Sequence, residues 1–153
     1  MSVEMKIIGL EKFRNGLKDL PQKVAKRAML KAVKYAAFVL EEEIKIRVPV
    51  NKGDLRDSIV SKSRSISPFE AAYRVQSNEK NSNNKPTWYG PLVEYGHNYV
   101  IKRGKKVVAH GYIAPQPFFR PAFDAQKENM QQVMVTEISE AVAKEWRKLS
   151  ARG

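Results

Sequence analysis

His97 and His110 are the only imidazoles in the chain, and they frame a cluster of Lys102, Arg103, Lys105 and Lys106. Two histidines with Lys102 or Arg103 to hold a phosphate are the residue types of an acid–base pair in a small basic ribonuclease. Such work needs a mutual geometry that spacing does not supply, and both histidines stand in loop or strand context, where an exposed imidazole is ordinary. Glu41, Glu42 and Glu43 are consecutive on a helical pattern, so their carboxylates diverge and cannot form an acid–base pair. Asp54 and Asp57 could share a face, but Lys52 and Arg56 lie beside them as local partners. There is no phosphate loop, no Gly-rich dinucleotide turn and no metalloprotease helix. With no cysteine, disulfides, thiolate metal sites and Cys nucleophiles are excluded together. The expectation is a protein that is not an enzyme, with no catalytic, cofactor-binding or metal-ligating residue.

The elements that would carry these residues follow from periodicity. Val3 to Ile8 reads as a strand or arm. Leu10, Phe13, Leu17 and Leu20 share one face of a short helix. From Pro21, well placed to open a helix, the pattern is helical to about Arg47, with Val24, Ala28, Ala32, Ala36, Val39 or Leu40, and Ile44 as a thin stripe. Tyr35 and Phe38 add bulk beyond that stripe. The acids at 41–43 fall at the helix end that the dipole disfavours. Val48-Pro49 stops the helix, residues 51–54 turn with Gly53 at positive φ, and Leu55 to Ser58 makes one helical turn. Strands follow at 59–66, mostly polar and so at an edge, and at 71–77. Residues 78–87 hold nothing apolar to bury and are expected to form a mobile loop. A short helix lies within 88–96. A basic arm or hairpin spans 101–113, turning at Arg103-Gly104-Lys105. A last helix runs from Pro121 to about Leu149, with Phe123, Met130, Val133 or Met134, Ile138, Ala141 or Val142, and Trp146 or Leu149 as its stripe. This is an α+β chain: a small antiparallel sheet packed with a long N-terminal helix and a long C-terminal helix.

At 153 residues it is one domain, 1–153, able to bury a core without staples. Hydrophobic residues at 42% and charged residues at 29% exclude disorder. The longest apolar run, Tyr35 to Leu40, is far short of a membrane span, and the N-terminus has no secretory pattern. With 28 Lys and Arg against 16 Asp and Glu, the net charge is +12. That predicts non-specific attraction to polyanions whatever the function. The charge is dispersed over the chain, which argues against a dedicated nucleic-acid face.

Three segments, in order, point further: Val48-Pro-Val-Asn-Lys-Gly-Asp-Leu-Arg-Asp-Ser-Ile59, Tyr89-Gly-Pro-Leu-Val-Glu-Tyr-Gly96, and Pro117-Phe-Phe-Arg-Pro-Ala-Phe-Asp124. Following a long N-terminal helix, they resemble the tail-completion or neck proteins of long-tailed bacteriophages, typified by gene product ten of phage HK-ninety-seven. The family usually has Thr where Lys52 stands and Leu where Phe119 and Phe123 stand. The resemblance implies structural roles for Pro49, Gly53, Leu55, Ser58, Glu94, Tyr95, Gly96, Pro117, Phe118, Arg120 and Pro121. It implies a virion protein at the head–tail junction, assembled as a homo-oligomeric, hexameric ring between tail tube and head connector, with neck and tail tube proteins as partners, no cofactor, no membrane, and at most non-specific DNA contact.

Two physical expectations accompany it. Glu94, a carboxylate in an apolar stretch, needs a partner, and Arg56 and Arg120 are the candidates. The arm bases Lys102, Arg103, Lys105 and Lys106 and the acids Glu41, Glu42 and Glu43 are candidate subunit contacts, the arm of one copy meeting the acidic helix end of the next. The competing function is a basic nucleic-acid-binding module, with a small basic ribonuclease as a third.

Overall fold

The computed structural model describes residues 2–6, 22–67 and 70–151. In chain order these form β1 (Ser2–Lys6), α1 (Gln22–Arg47), a 3-10 turn (Arg56–Ser58), β2 (Ile59–Ser67), β3 (Glu70–Ser77), α2 (Gly90–Tyr95), β4 (His97–Arg103), β5 (Lys106–Ile113) and α3 (Phe119–Ser150). The short helix expected over residues 10–20 lies outside the described residues.

Helix α1 is the centre of the molecule. Its alanines favour helix and let neighbours approach on more than one side. Met29 and Val33 pack with Ala71 of β3, while Ala36, Ala37, Leu40 and Ile44 share one core with Ile59, Val75, Phe118, Phe119 and Met130. The buried arc is therefore wider than one stripe, because α1 is covered by the sheet on one side and by α3 on another. The two long helices run antiparallel, tied by Lys31 to Glu137 at 2.9 Å and by Gln126 donating to Glu43 at 2.9 Å. The acids at the disfavoured end of α1 are matched within their own helix. Lys45 reaches Glu41 at 2.6 Å and Glu42 at 3.1 Å, and Arg47 reaches Glu43 at 2.6 Å. Burial works against the Lys45 charge, but those two carboxylates outweigh it and raise its pKa. Bonds from Arg47 and then Gln126 lower that of Glu43.

The main sheet is antiparallel in the order β1-β3-β2, with Val3 opposite Val75 and Lys62 opposite Arg74. The polar strand β2 is an edge, as its composition predicts. β4 and β5 form a separate two-stranded sheet.

The 78–87 tract departs from expectation by burying Asn81 and Thr87. The Asn81 side chain accepts from the backbone N–H groups of Asn83 and Lys85 and donates to Asp54 at 3.0 Å. Thr87 donates to the Asn78 carbonyl at 2.6 Å. One asparagine thus organises the loop and ties it to the turn after α1.

Helix α3 starts at Phe119, two residues before Pro121, because a carboxylate is waiting for it. Glu94 is only 4% exposed. Its Oε2 accepts from the backbone N–H of Phe118 at 2.7 Å and of Phe119 at 3.1 Å, with Oε1 at 3.5 Å from the Arg120 N–H. Glu94 is thus partnered, but not by an arginine side chain: Arg56 turns to Asp57 at 3.3 Å, and Arg120 contributes only its backbone. The N–H groups of a first helical turn have no partner within the helix and carry partial positive charge, so they satisfy the anion as a cation would. Pro121 has no N–H to lose and is tolerated in that first turn. The apolar stripe of α3 buries Met130 and Ile138 as expected, but Trp146 stays exposed near the helix end. Replacing Glu94 by Ala leaves two buried donors unmatched, which costs about 2–4 kcal/mol. The melting temperature should fall by roughly 5–12 °C, with a smaller loss for Glu94→Gln, which keeps one acceptor. Thermal unfolding by circular dichroism checks this, and an unchanged midpoint for Glu94→Ala would refute the capping role.

Candidate assembly surface

The three sequence motifs meet in space. Pro49, Gly53 and Leu55 from the first, Tyr89 and Val93 from the second, and Ala114 and Gln116 just ahead of the third line a cleft of about 390 Å³, together with His97 and Ile113 at the root of the hairpin. Each wall has a local cause. Gly53 takes φ +84° and its carbonyl accepts from the Asp57 N–H at 2.9 Å. Buried Ser58 donates to the Leu55 carbonyl at 2.7 Å and lies 3.0 Å from the Ser77 hydroxyl, joining the turn to β3. Leu55 and Ile59 are buried beneath it. Lys52 is exposed, so the departure there leaves the turn intact, while Phe119 is a full core residue whose ring lies 5.1 Å from that of Phe118. The Gln116 N–H donates to the Val93 carbonyl at 2.8 Å, binding the second motif to the third. Pro49, Tyr95, Pro117 and Arg120 are exposed and Pro121 is half-buried. These five frame the junction from outside.

From this junction the β4–β5 hairpin projects. It starts earlier than the pattern predicts, at His97, and its turn has positive φ at Gly104 but not at Lys105, the signature of a type II′ turn. A register shift between Ile101 and Lys102 leaves Val108 as an extra residue. Lys102, Arg103, Lys105 and Lys106 are all exposed at the tip, without an acid anywhere in 97–113. Both faces of the ribbon are largely wet. Tyr99, Val100, Ile101, Val107, Val108, Tyr112 and Ile113 are all exposed. The main internal support is Tyr99, whose ring covers Gly111 so closely that a Cβ there would lie 2.7 Å from its hydroxyl. Aromatic cover of a strand glycine steadies a ribbon.

The structure separates the two histidines. His97 pairs across the ribbon with Ile113, and His110 with Val100. Three positions apart, they are about 10 Å distant along the strands and on opposite faces, so the acid–base pair does not form. His97 Nδ1 lies 3.4 Å from the Leu92 carbonyl. Among the described residues no three His, Asp or Glu side chains gather as a metal site. The acids Glu41, Glu42 and Glu43 and the arm bases are not in contact within one chain; the acids have Lys45 and Arg47 instead.

Two glycines test the junction. Gly96 has φ +69°, and a Cβ there would lie 2.6 Å from the Ile113 carbonyl oxygen and 2.8 Å from the Pro115 nitrogen. Gly104 has φ +60° and open space around it. Both alanine variants bear positive-φ strain of about 1–3 kcal/mol, but only Gly96→Ala must also move backbone. Gly96→Ala should lower the melting temperature by at least roughly 4 °C more than Gly104→Ala. Equal midpoints would show that the junction is not closely fitted.

The family whose model matches is HK97-gp10-like, described as "Bacteriophage HK97-gp10, putative tail-component", and the match takes in residues 11–96. That span includes α1, β2, β3 and α2, with the first two motifs, and ends at Gly96; the hairpin and α3 lie beyond it. No protein of curated function and no solved structure matches the chain. Matched over more than half its length, the chain belongs to the HK97-gp10-like family of bacteriophage tail components.

Proposed function

We propose that this tail component completes the tail at the head–tail junction, assembling as a homo-oligomeric ring between tail tube and head connector, with six copies by family resemblance. It works by docking and not by catalysis, and its site of action is the virion. The observation that carries the reading is the β4–β5 hairpin, an apolar ribbon with a basic tip that the described residues leave exposed. A two-stranded ribbon is marginally stable alone in water, and contiguous exposed apolar surface of this kind marks interaction sites. The hairpin root is joined to the core by the Gln116 N–H on the Val93 carbonyl and by Glu94, which follows Val93 and holds the start of α3. The competing reading, a nucleic-acid-binding module, draws on the tip charge, but seven exposed apolar side chains on the strands suit a protein partner better.

The test is genetic and morphological. Disrupting the gene in the phage or prophage that carries it should leave filled heads and separate tails in electron micrographs, and adding the purified chain to that lysate should restore joined, infectious particles. Normal joined particles without the protein would contradict the reading, and normal joined particles lacking only a tail tip would place the protein elsewhere in the tail.

A further inference from the structure

We propose that the hairpin of one copy docks along the outward ridge of α1 in a second copy, its basic tip directed to the C-terminal end of that helix. The proposal rests on the self-assembly reading above and names the surface it uses. α1 is buried along most of its circumference but keeps one apolar line outside: Tyr35 (43% exposed), Phe38 (54%) and Ile46 (77%), with Glu42 between them. At 100° per residue these four positions share one side, and the line from 35 to 46 is about 16 Å long. In the hairpin, the register puts Val100, Lys102, Val107 and Tyr112 on one face, with Asn98 and His110 among them, and Val107 to Tyr112 spans about 13 Å, because the Val108 bulge takes up one residue. The two strips are of similar length, each mixes apolar with polar side chains, and among the described residues both are exposed, with Lys31 over the Tyr35 ring.

Charge fixes the direction. The N-terminal part of the ridge carries exposed Lys34, and Lys31 whose charge is shared with Glu137; Lys34 would repel a tip with four bases and no acid. The other end carries Glu41, Glu42 and Glu43 against Lys45 and Arg47, one more acid than base, together with the negative pole of the helix. Glu42 is also the acid that can be released. Glu41 is buried and holds Lys45 at 2.6 Å by itself, and Glu43 holds Arg47 and Gln126. Glu42 shares Lys45 only at 3.1 Å and is half-exposed. Exposed ion pairs add little energy, so they set register while the apolar strip supplies contact. Because the hairpin springs from beside the C-terminal end of its own α1, the contact uses two different surfaces. Such head-to-tail contacts close into a ring when the rotation permits.

The chain has no cysteine, so engineered thiols report the contact cleanly. Val107→Cys and Ile46→Cys variants, mixed and mildly oxidised, should give about tenfold more disulfide-linked dimer than Val107→Cys mixed with Glu140→Cys, since docking raises the local concentration. Phe38→Glu, at an exposed position, should keep the fold by circular dichroism and lose the oligomer by light scattering. Oligomers that form without the 107–46 link and survive Phe38→Glu would overturn this dock and leave self-assembly standing. A parent chain that stays monomeric at every concentration, with the hairpin protected only by an added tail protein or by duplex DNA, would overturn both.

Discussion

The carboxylate of Glu94 sits where three parts of the chain must agree. It is carried by a helix too short to be stable alone, it is buried, and its acceptors are taken by the first N–H groups of α3. A buried carboxylate without partners is costly, and so are the orphan donors of a helix start enclosed in a core. Each defect removes the other. That exchange fixes where α3 begins, sets Phe118 and Phe119 into the core against α1, and clamps the two ends of the hairpin between Gly96 and Pro117. The hairpin can therefore project with its own faces uncovered, because its root is held by elements that are well packed.

The distribution of apolar surface suits a protein that is finished by assembly. The core uses alanines to bring α1 close to both the sheet and α3, while larger side chains, Tyr35, Phe38 and Ile46, are kept outside on the same helix. Among the described residues, Lys31 lies over the Tyr35 ring at 5.4 Å, while Phe38 and Ile46 are left exposed. The net charge of +12 keeps single copies apart in solution, so an ordered contact between copies needs surfaces in which local complementarity overrides the overall repulsion.

The α+β class, both long helices, the polar edge strand and the hairpin were legible because each has a periodicity or a turn residue at the required place. The need for a partner at Glu94 was legible from a lone carboxylate among Val93, Tyr95 and Tyr89. Its partner is not, since backbone N–H groups carry no letter in the sequence, whereas the arginines Arg56 and Arg120 do. For the same reason the start of α3 was placed at Pro121, the residue with a visible preference, and not at Phe119. Asn81 was hidden among similar neighbours, and only its position against Asp54 distinguishes it. That α3 packs on α1 is signalled in the sequence by the run of small residues in α1, which lets another backbone approach closely.

The most direct measurement of the central constraint is amide hydrogen exchange at Phe118 and Phe119. These N–H groups precede or open the first turn of α3 and have no partner within their helix, so they would exchange early if Glu94 faced water. The account predicts that they exchange only with global unfolding, as slowly as amides in the middle of α1, while Gly104 and Lys105 at the hairpin tip exchange orders of magnitude faster. Exchange at Phe118 and Phe119 as fast as at the hairpin tip would contradict it.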